Sequence, residues 1–426
     1  MSTTAASPIR WVPTLYFVQG LQFFVVMLIA GLMLKGLGVA NDSIGNWTAT
    51  IGLAGAFKPL WSPFLELWPS KKQIVVATQY LGAALMAALA VALHLPFWFA
   101  ATIGVLFVLA YSSATHDIAC DGLYMAALDE RSQARYVGWQ GAFFNASKFL
   151  ALGGLLKLVG WLEGSFSTQQ SWSIIFALLA VAVGALATWN WRSMPEPAPP
   201  QGAGTKLTAA NIFATQRAVL EQFLRKPGVW LFILFIVLFR FGEGQVQTIG
   251  PLFLVEARGT GGLGLSSGQV GDIYGIAGTA AFLVGSILGG YFTAKLQLRR
   301  AMPVLIAAMI VPNIVFWWLA STLPTELWQI TAAVSVESFF YGFGFVGMIL
   351  FLMQVVAPGR FQTAHYALGT GVMQLGFIFS KFISGNIQVA LGYEKFFLWT
   401  VFSGLPVALL IYFIPWPSST AAPSRQ

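Results

Sequence analysis

Long apolar runs alternate with short polar or basic turns along the whole chain. Runs near 11–34, 44–67, 73–94, 97–127, 136–160, 171–191, 228–254, 268–293, 302–322, 327–356, 362–390 and 395–415 each offer roughly the 20 apolar residues that a membrane span needs. They are numbered span 1 to span 12 below. Hydrocarbon cannot hydrogen-bond to a backbone, so runs of this length predict helices. The first run is long and carries no small-residue cleavage site, which makes it a retained span rather than a signal peptide.

One long polar stretch interrupts the alternation. It runs from Arg192 through Pro195, Pro197, Pro199 and Pro200 to Lys226 and Pro227. Its proline-rich first part predicts an extended linker. Residues 207–224 then carry Ile212, Phe213, Val219, Leu220, Phe223 and Leu224 among Arg217 and Glu221, a helical pattern. Two roles are open for that helix: lying flat on a membrane surface, or serving as a solvated connector.

Composition sharpens the picture. Of 426 residues, 57% are hydrophobic and 9% are charged, with mean hydropathy +0.73. Soluble proteins carry about 25% charged residues, so a soluble enzyme, a disordered chain and a secreted disulfide scaffold are all disfavoured. The net charge of +8 suggests no nucleic acid here, because the bases must first be sorted by membrane side. With the N-terminus inside, 15 Lys and Arg fall on the cytoplasmic side, 4 on the other and 4 within spans. That bias predicts cytoplasmic termini and a cytoplasmic linker. Cys120 is the single cysteine, and neither an HExxH nor a Walker A pattern occurs. No metal site and no cofactor are expected.

The halves repeat weakly. Short basic turns follow span 4 (Asp129 to Arg135) and span 10 (Pro358 to Phe361), and paired bases follow span 2 (Lys71, Lys72) and span 8 (Arg299, Arg300). The expected fold is an all-α integral membrane protein of two parallel six-helix halves, 1–192 and 227–426, joined by a cytoplasmic linker at 193–226.

Ionisable groups inside spans carry the most information, since each costs roughly 2.5–3.5 kcal/mol at a span centre on insertion scales. Lys58, Lys148, Arg240, Lys381, Asp117, Asp121, Glu243 and Glu337 all lie there. Asp117 and Asp121 are i and i+4 on one face of span 4, with Ser113 extending it and His116 about 100° away. Asp117 lies roughly 18 Å from the turn at Asp129, and Lys148 roughly 20 Å from Arg135. Those depths predict an Asp117–Lys148 contact. It has two readings: an ion pair locking spans 4 and 5, or a carboxylate that binds a proton or substrate under the lysine's influence.

Arg240 and Glu243 are i and i+3 in span 7 and pair within the helix. The polar, glycine-rich run from Gly242 to Pro251 suits a cavity wall, where Gln245 and Gln247 would meet sugar or amide groups. Glu337 shares a face of span 10 with Tyr341. Span 11 adds His365 near one end and Lys381 toward the other, where Lys381 either faces substrate or snorkels. Lys58 sits between helix-breaking prolines, Pro59 and Pro63, and either binds substrate or satisfies freed carbonyls. Glu66, Lys71 and Lys72 read either as a gating ion-pair loop or as plain topogenic charge; Arg299 and Arg300 are their counterparts. Trp139 beside Gln140 offers a stacking face for a sugar. The other tryptophans suit interface belts, and the glycines, such as Gly285 to Gly289, suit close helix packing.

Several segments resemble the AmpG-type muropeptide permeases, in the major facilitator branch that also holds acetyl-CoA transporters. They are Phe57 to Glu66 (FKPLWSPFLE), Ser113 to Asp121 (SATHDIACD), Arg240 to Glu243, Val270-Gly271, Glu337 and Ala364 to Leu368. They occur in order across both halves. His116 and His365 stand where AmpG proteins tend to carry glutamine, Arg240 and Glu243 replace a lysine–aspartate pair, and the extra spans of some AmpG proteins are lacking. The resemblance implies proton-driven import of an anhydromuropeptide or related amino sugar by a symporter of the bacterial inner membrane. Siderophore and acyl-CoA permeases of the same fold are alternatives.

On this reading Asp117, Asp121, Glu243 and Glu337 are the proton-coupling candidates. Lys148, Arg240, His116, His365, Lys381, Gln245, Gln247, Trp139, Gln140 and Lys58 are the substrate-binding candidates. The expected partners are a small solute, protons and the lipid bilayer, with the protein a monomer. A different class, a membrane-embedded enzyme acting on cell-wall or lipid substrate, would draw on Asp117, Asp121 and His116, but no catalytic loop outside the spans supports it.

Overall fold

The structure is a computed structural model and describes residues 7–199 and 208–416. Those residues form helices and turns, with no strand among them. Nine helices among the described residues are long and apolar enough to cross a membrane. Eight correspond to single spans: Pro8–Gly36 (span 1), Lys71–Ala92 (span 3), Trp98–Ala127 (span 4), Thr168–Ser193 (span 6), Val229–Val255 (span 7), Gly271–Leu296 (span 8), Leu298–Thr322 (span 9) and Leu327–Val356 (span 10). The ninth, Gln362–Phe413, is spans 11 and 12 run together; Gly392, at φ 70 and ψ 167, breaks it into two. Helical stretches at 41–67 and 130–162 supply spans 2 and 5.

Those last two fall short of a simple apolar helix for different reasons. Span 2 is helical over Asn41–Phe57, then tightens into a 3-10 turn at Lys58–Leu60 and resumes at Ser62–Leu67. Pro59 and Pro63 lack backbone donors and impose that break. Span 5 begins at Glu130, six residues before the predicted 136, and includes Arg131 and Arg135 in its first turns. A wide π-type turn at Leu150–Leu155 then separates Glu130–Phe149 from Leu156–Leu162.

Contacts divide the chain into two compact units. The first comprises Met1–Asp129 with Trp139–Gln216. Its core gathers Val18, Leu21 and Ile29 of span 1, Met86 and Leu89 of span 3, Leu106 and Leu109 of span 4, and Ile175, Phe176 and Val183 of span 6. Ser70 caps span 3 by accepting from the Gln73 amide at 3.1 Å. Ser167 and Gln170 form a reciprocal capping box on span 6.

The second unit comprises Glu130–Gly138 with Arg217–Gln426. The opening turns of span 5 belong here because they pack on span 8, where Ser286 Oγ donates to the Gly138 carbonyl at 3.4 Å. Phe253, Phe316, Phe396 and Phe397 centre its core. The Gly285 to Gly289 pair lies against the carbonyls of Phe339 and Phe343 in span 10, where a Cβ would overlap them. That is the close helix approach small residues allow.

The linker helix spans Ala209–Leu224. Val219 and Phe223 are buried, and Val219 joins Phe361 and Ala364 in a small apolar cluster of the second unit. Arg217 and Glu221 pair on its surface at 2.9 Å, and that bond holds the Glu221 carboxyl below the usual carboxylate range. Lys226 donates to the carbonyls of Val356 and Pro358, and burial pushes its ammonium down to about 8.

Candidate functional site

In the first unit, the break in span 2 sets the site. Trp61, just past the 3-10 turn, donates from Nε1 to Thr115 Oγ1 at 3.2 Å and packs its ring 5.4 Å from that of Tyr111. Both contacts fix the break against span 4. Lys58 thereby meets Asp117, with Nζ 2.5 Å from Oδ2. Gln19 of span 1 donates to the other oxygen, Oδ1. The side chains of Lys58 and Asp117 remain 20% and 26% exposed, so the pair is not sealed within the protein.

Asp121, one turn away, is only 6% exposed. Its Oδ1 accepts from Tyr16 at 2.9 Å and from Gln140 at 3.2 Å. The two carboxylates of one helix face therefore have different surroundings: Asp117 is ion-paired and part-exposed, whereas Asp121 is buried, accepts from Tyr16 and Gln140, and lies close enough to Lys58 for their charges to interact.

The expected Asp117–Lys148 pair does not form; Lys58 takes its place. The Gln140–Asp121 bond explains why. Spans 4 and 5 run antiparallel, so one turn up from Asp121 to Asp117 corresponds to one turn on from Gln140 to Phe144. Lys148 is a further turn beyond, about 6 Å along the axis. The depth match assumed that span 5 starts at Arg135, whereas its helix starts at Glu130. Lys148 is instead exposed, roughly 27 Å along the helix from Glu130, in the middle of a span. Lys58 does not serve the carbonyls freed by the prolines either; Ser62 Oγ donates to the Pro59 carbonyl at 3.0 Å.

His116 turns away from this pair into a buried chain of hydrogen bonds. Thr14 donates to Asn190 at 2.6 Å, Asn190 to Gln79 Oε1 at 3.2 Å, and Gln79 Nε2 lies 3.0 Å from His116 Nε2. Cys120 Sγ lies 3.3 Å from the same ring nitrogen. Gln79, His116 and Asn190 are all 0% exposed. The chain ties spans 1, 3, 4 and 6 together. Gln19, Gln79, Asn190 and Tyr16 carry no charge, so within apolar spans they mark the sequence less strongly than the ionisable groups do. An amide in an apolar span was the available signal.

Elsewhere in this unit, Trp139 stacks on Phe143 with centroids 6.0 Å apart. Glu66 and Lys71 form a buried pair at 3.7 Å, and Lys72 donates to the Met194 carbonyl at 2.8 Å. Ser70 Oγ donates to Glu196 at 2.5 Å. The turn after span 2 is thus fastened to the end of span 6.

In the second unit, span 7 breaks at Arg240, whose φ of −102 and ψ of 3 leave the helical range between Val229–Phe239 and Phe241–Val255. The break spends the Phe241 carbonyl on side chains: Ser380 Oγ donates to it at 2.6 Å and Gln245 Nε2 at 3.1 Å. Gly242 and Gly244 let span 7 approach Thr400 and Ser380 without a Cβ in the way.

The Arg240 guanidinium donates twice to Glu243 Oε2, at 3.2 and 3.1 Å, and once to Tyr341 Oη at 3.2 Å. It stacks over the rings of Phe377 at 4.1 Å and Phe345 at 4.9 Å. Arg240, Glu243 and Glu337 are 7%, 2% and 3% exposed. Glu337 accepts from Ser338 at 3.3 Å and lies close enough to Glu243 for their charges to interact. Lys381 is exposed, with Nζ 5.4 Å from the Phe377 ring.

Three candidates in this unit fall outside the cluster. Gln245 is fully buried and committed, since its Oε1 also accepts from Trp399 at 3.1 Å. Gln247 is exposed on another face of span 7. His365 is packed beneath the linker helix, donating from Nε2 to the Val219 carbonyl at 3.2 Å with the Phe223 ring 5.7 Å away. Arg299 and Arg300 are exposed beside Gln297, a turn residue at φ 66. No group of three or more His, Cys, Asp or Glu is placed to hold a metal among the described residues.

Polar groups buried on broken helices, inside a bundle of apolar spans, define a class: multi-pass proteins that carry solutes across membranes. The chain matches the family model described as Major Facilitator Superfamily over residues 14–377 and belongs to that superfamily. It is similar to the anhydromuropeptide permease of Escherichia coli K12, at 26% identity over 93% of this chain and 77% of the relative. A putative transporter AmpG 4 of Rickettsia conorii is 21% identical over 93% and 94% of the two chains. The solved structure of the Escherichia coli fucose:proton symporter superposes with a TM-score of 0.66, covering 94% of this chain and 97% of that one at 14% identity. That likeness bears on the fold alone. The chain is a multi-pass membrane transporter of this superfamily, similar in sequence to proteins named AmpG.

Proposed function

We propose that this protein is a proton-coupled importer of an anhydromuropeptide or related amino-sugar compound, working by alternating access in the bacterial inner membrane. On this reading the halves 1–192 and 227–426 move about the linker 193–226, with both termini cytoplasmic. The observation that carries the proposal is the part-exposed Lys58–Asp117 pair. A carboxylate held by a lysine, yet not sealed within the protein, has two competing partners, a proton and the lysine. Protonation of Asp117 frees Lys58, and a freed lysine in a cavity suits an anionic group of a solute. Lys148, exposed in mid-span and too deep to snorkel to an interface, is a second cation for a solute carboxylate. The names of the relatives point to anhydromuropeptides, which combine carboxylates with amide and hydroxyl groups.

The test is uptake into proteoliposomes under an imposed pH gradient. Anhydromuropeptides, N-acetylglucosamine compounds, siderophores and acyl-CoA are supplied in turn. Gradient-driven accumulation of an anhydromuropeptide is expected. Preference for a siderophore or acyl-CoA overturns the substrate. Accumulation indifferent to the gradient overturns the coupling. Conversion of substrate without translocation overturns the transporter reading in favour of an enzyme.

A further inference from the structure

The linker helix presents two distinct faces. Its inner face is docked: Val219 and Phe223 are 1% and 4% exposed, resting on Phe361, Ala364 and His365. About 100° round the helix runs a second apolar stripe with nothing over it, at i, i+7 and i+11. Phe213, Leu220 and Leu224 are 74%, 40% and 51% exposed. The far flank of that stripe is charged, carrying Arg217, Glu221 and Arg225. On that flank Arg217 and Arg225 exceed the single acid Glu221 by one, while Lys226 turns to the Val356 and Pro358 carbonyls.

The chain fixes the height of this helix. Only Arg225 to Gly228 separate Leu224 from Val229, where span 7 begins. Gly228, at φ 79, turns the chain there, and Trp230 follows, 70% exposed at the first turn of the span. A tryptophan in that position marks a membrane–water interface. Four connecting residues reach at most about 17 Å, and Lys226 shortens the reach by binding the carbonyls of Val356 and Pro358. The helix is therefore tethered close to the start of span 7.

We propose that the linker helix lies in the headgroup layer of the leaflet where span 6 ends and span 7 begins, its Phe213–Leu220–Leu224 stripe immersed and its bases facing anionic lipid. A lipid surface fits this face: the stripe is narrow, flanked by surplus positive charge, and continuous with the lipid-facing start of span 7. The docked inner face then couples lipid composition to the turn between spans 10 and 11.

Full-length protein in lipid nanodiscs tests this. Cys120 is buried, so a single introduced cysteine takes an environment-sensitive fluorophore. Phe213→Cys and Leu220→Cys are compared with Gln222→Cys, which points the opposite way. In phosphatidylcholine discs the first two are expected to be quenched several-fold more by acyl-brominated lipid, and several-fold less by aqueous iodide, than the third. Adding phosphatidylglycerol is expected to increase both differences. Equal iodide access at all three positions overturns the proposal in favour of a solvated connector. Lipid quenching that ignores phosphatidylglycerol overturns the anionic-lipid assignment. Hydrogen exchange of the unmodified protein guards against misfolded variants: slower exchange over 217–224 in phosphatidylglycerol discs is expected, and no change overturns the proposal.

Discussion

The two units each bury an ion pair at a break in a broken span, and they do so in opposite ways. Lys58 and Asp117 come from different helices, meet through one contact and stay 20% and 26% exposed. Arg240 and Glu243 come from one turn of one helix, meet through two hydrogen bonds and are 8% and 2% exposed at their side chains. Aromatic rings sandwich the second pair; the Gln19 amide joins the first, which stays part-exposed. A pair that spans two helices and stays part-exposed can exchange partners as the helices move. A pair closed within one turn and walled by phenyl rings is built to hold a break in place, and it neutralises its own charge. On the proposed function, the contrast gives the changing chemistry to the Lys58–Asp117 pair and a scaffolding role to the Arg240–Glu243 pair.

The largest effect is expected from Asp117→Asn. It keeps the shape and the Gln19 contact but removes both the proposed proton site and the lysine's counter-charge. Gradient-driven uptake in proteoliposomes is expected to fall at least about tenfold, while counterflow of solute without a gradient persists. Gradient-driven accumulation at the normal rate would abolish the distinction drawn between the two pairs. Because the pair is part-exposed, the accompanying loss of thermal stability should be modest.

Arg240→Met reverses that balance. It leaves Glu243 buried and unpaired, for which removal of one partner typically costs about 3–5 kcal/mol. Replacing both, Arg240→Met with Glu243→Met, is expected to recover most of that loss, since an apolar pair of similar volume suits the aromatic walls. Thermal unfolding in detergent measures the cycle. If the double variant is as unstable as the single one, the pair is more than a self-neutralised brace, and the comparison fails on this side.

His116 tests whether the scaffold of the first unit is separate from its ion pair. His116→Leu strands the Gln79 donor in a fully buried site, a loss of about 1–3 kcal/mol. His116→Gln supplies an acceptor and is expected to restore most of it. Uptake per folded molecule should change little in either variant. A changed pH profile of uptake with unchanged stability would move His116 from the scaffold into the proton path.

Much of this was legible in sequence, for physical reasons that also mark the limits. Apolar length alone located spans 3, 4, 6 and 10 to within a few residues. Span 5 began earlier than hydropathy allowed, because Glu130, Arg131 and Arg135 are helical but polar. The break in span 2 was written in Pro59 and Pro63. The break at Arg240 was not, since no proline marks it and only the glycines at 242 and 244 hint at close packing. Buried charge pointed to the right residues: seven of the eight ionisable groups picked out in the spans meet a partner or an aromatic ring. Partner choice was illegible, because it depends on helix register to within one turn, about 5.4 Å, and an error of five residues in the start of span 5 exceeds that.

The smallest expected effect separates the two exposed mid-span lysines. Lys381 sits 5.4 Å from the Phe377 ring, which already faces Arg240 at 4.1 Å. An exposed cation–π contact is worth about 0.5–1 kcal/mol. Lys381→Met should therefore cost about that much in the otherwise unchanged protein, and more when Arg240 is also replaced, because Lys381 lies close enough to Glu243 for their charges to interact and is then its remaining cationic neighbour. Lys148 has no such neighbour in the structure's ring contacts, and Lys148→Met should shift stability by under about 0.5 kcal/mol. The functional readout runs the other way. Lys148→Met is expected to weaken uptake of a carboxylate-bearing solute several-fold and leave its neutral amide analogue unchanged. Equal weakening for both solutes would mean that Lys148 meets no carboxylate, and would leave Lys58 as the one candidate cation for the solute in the first unit.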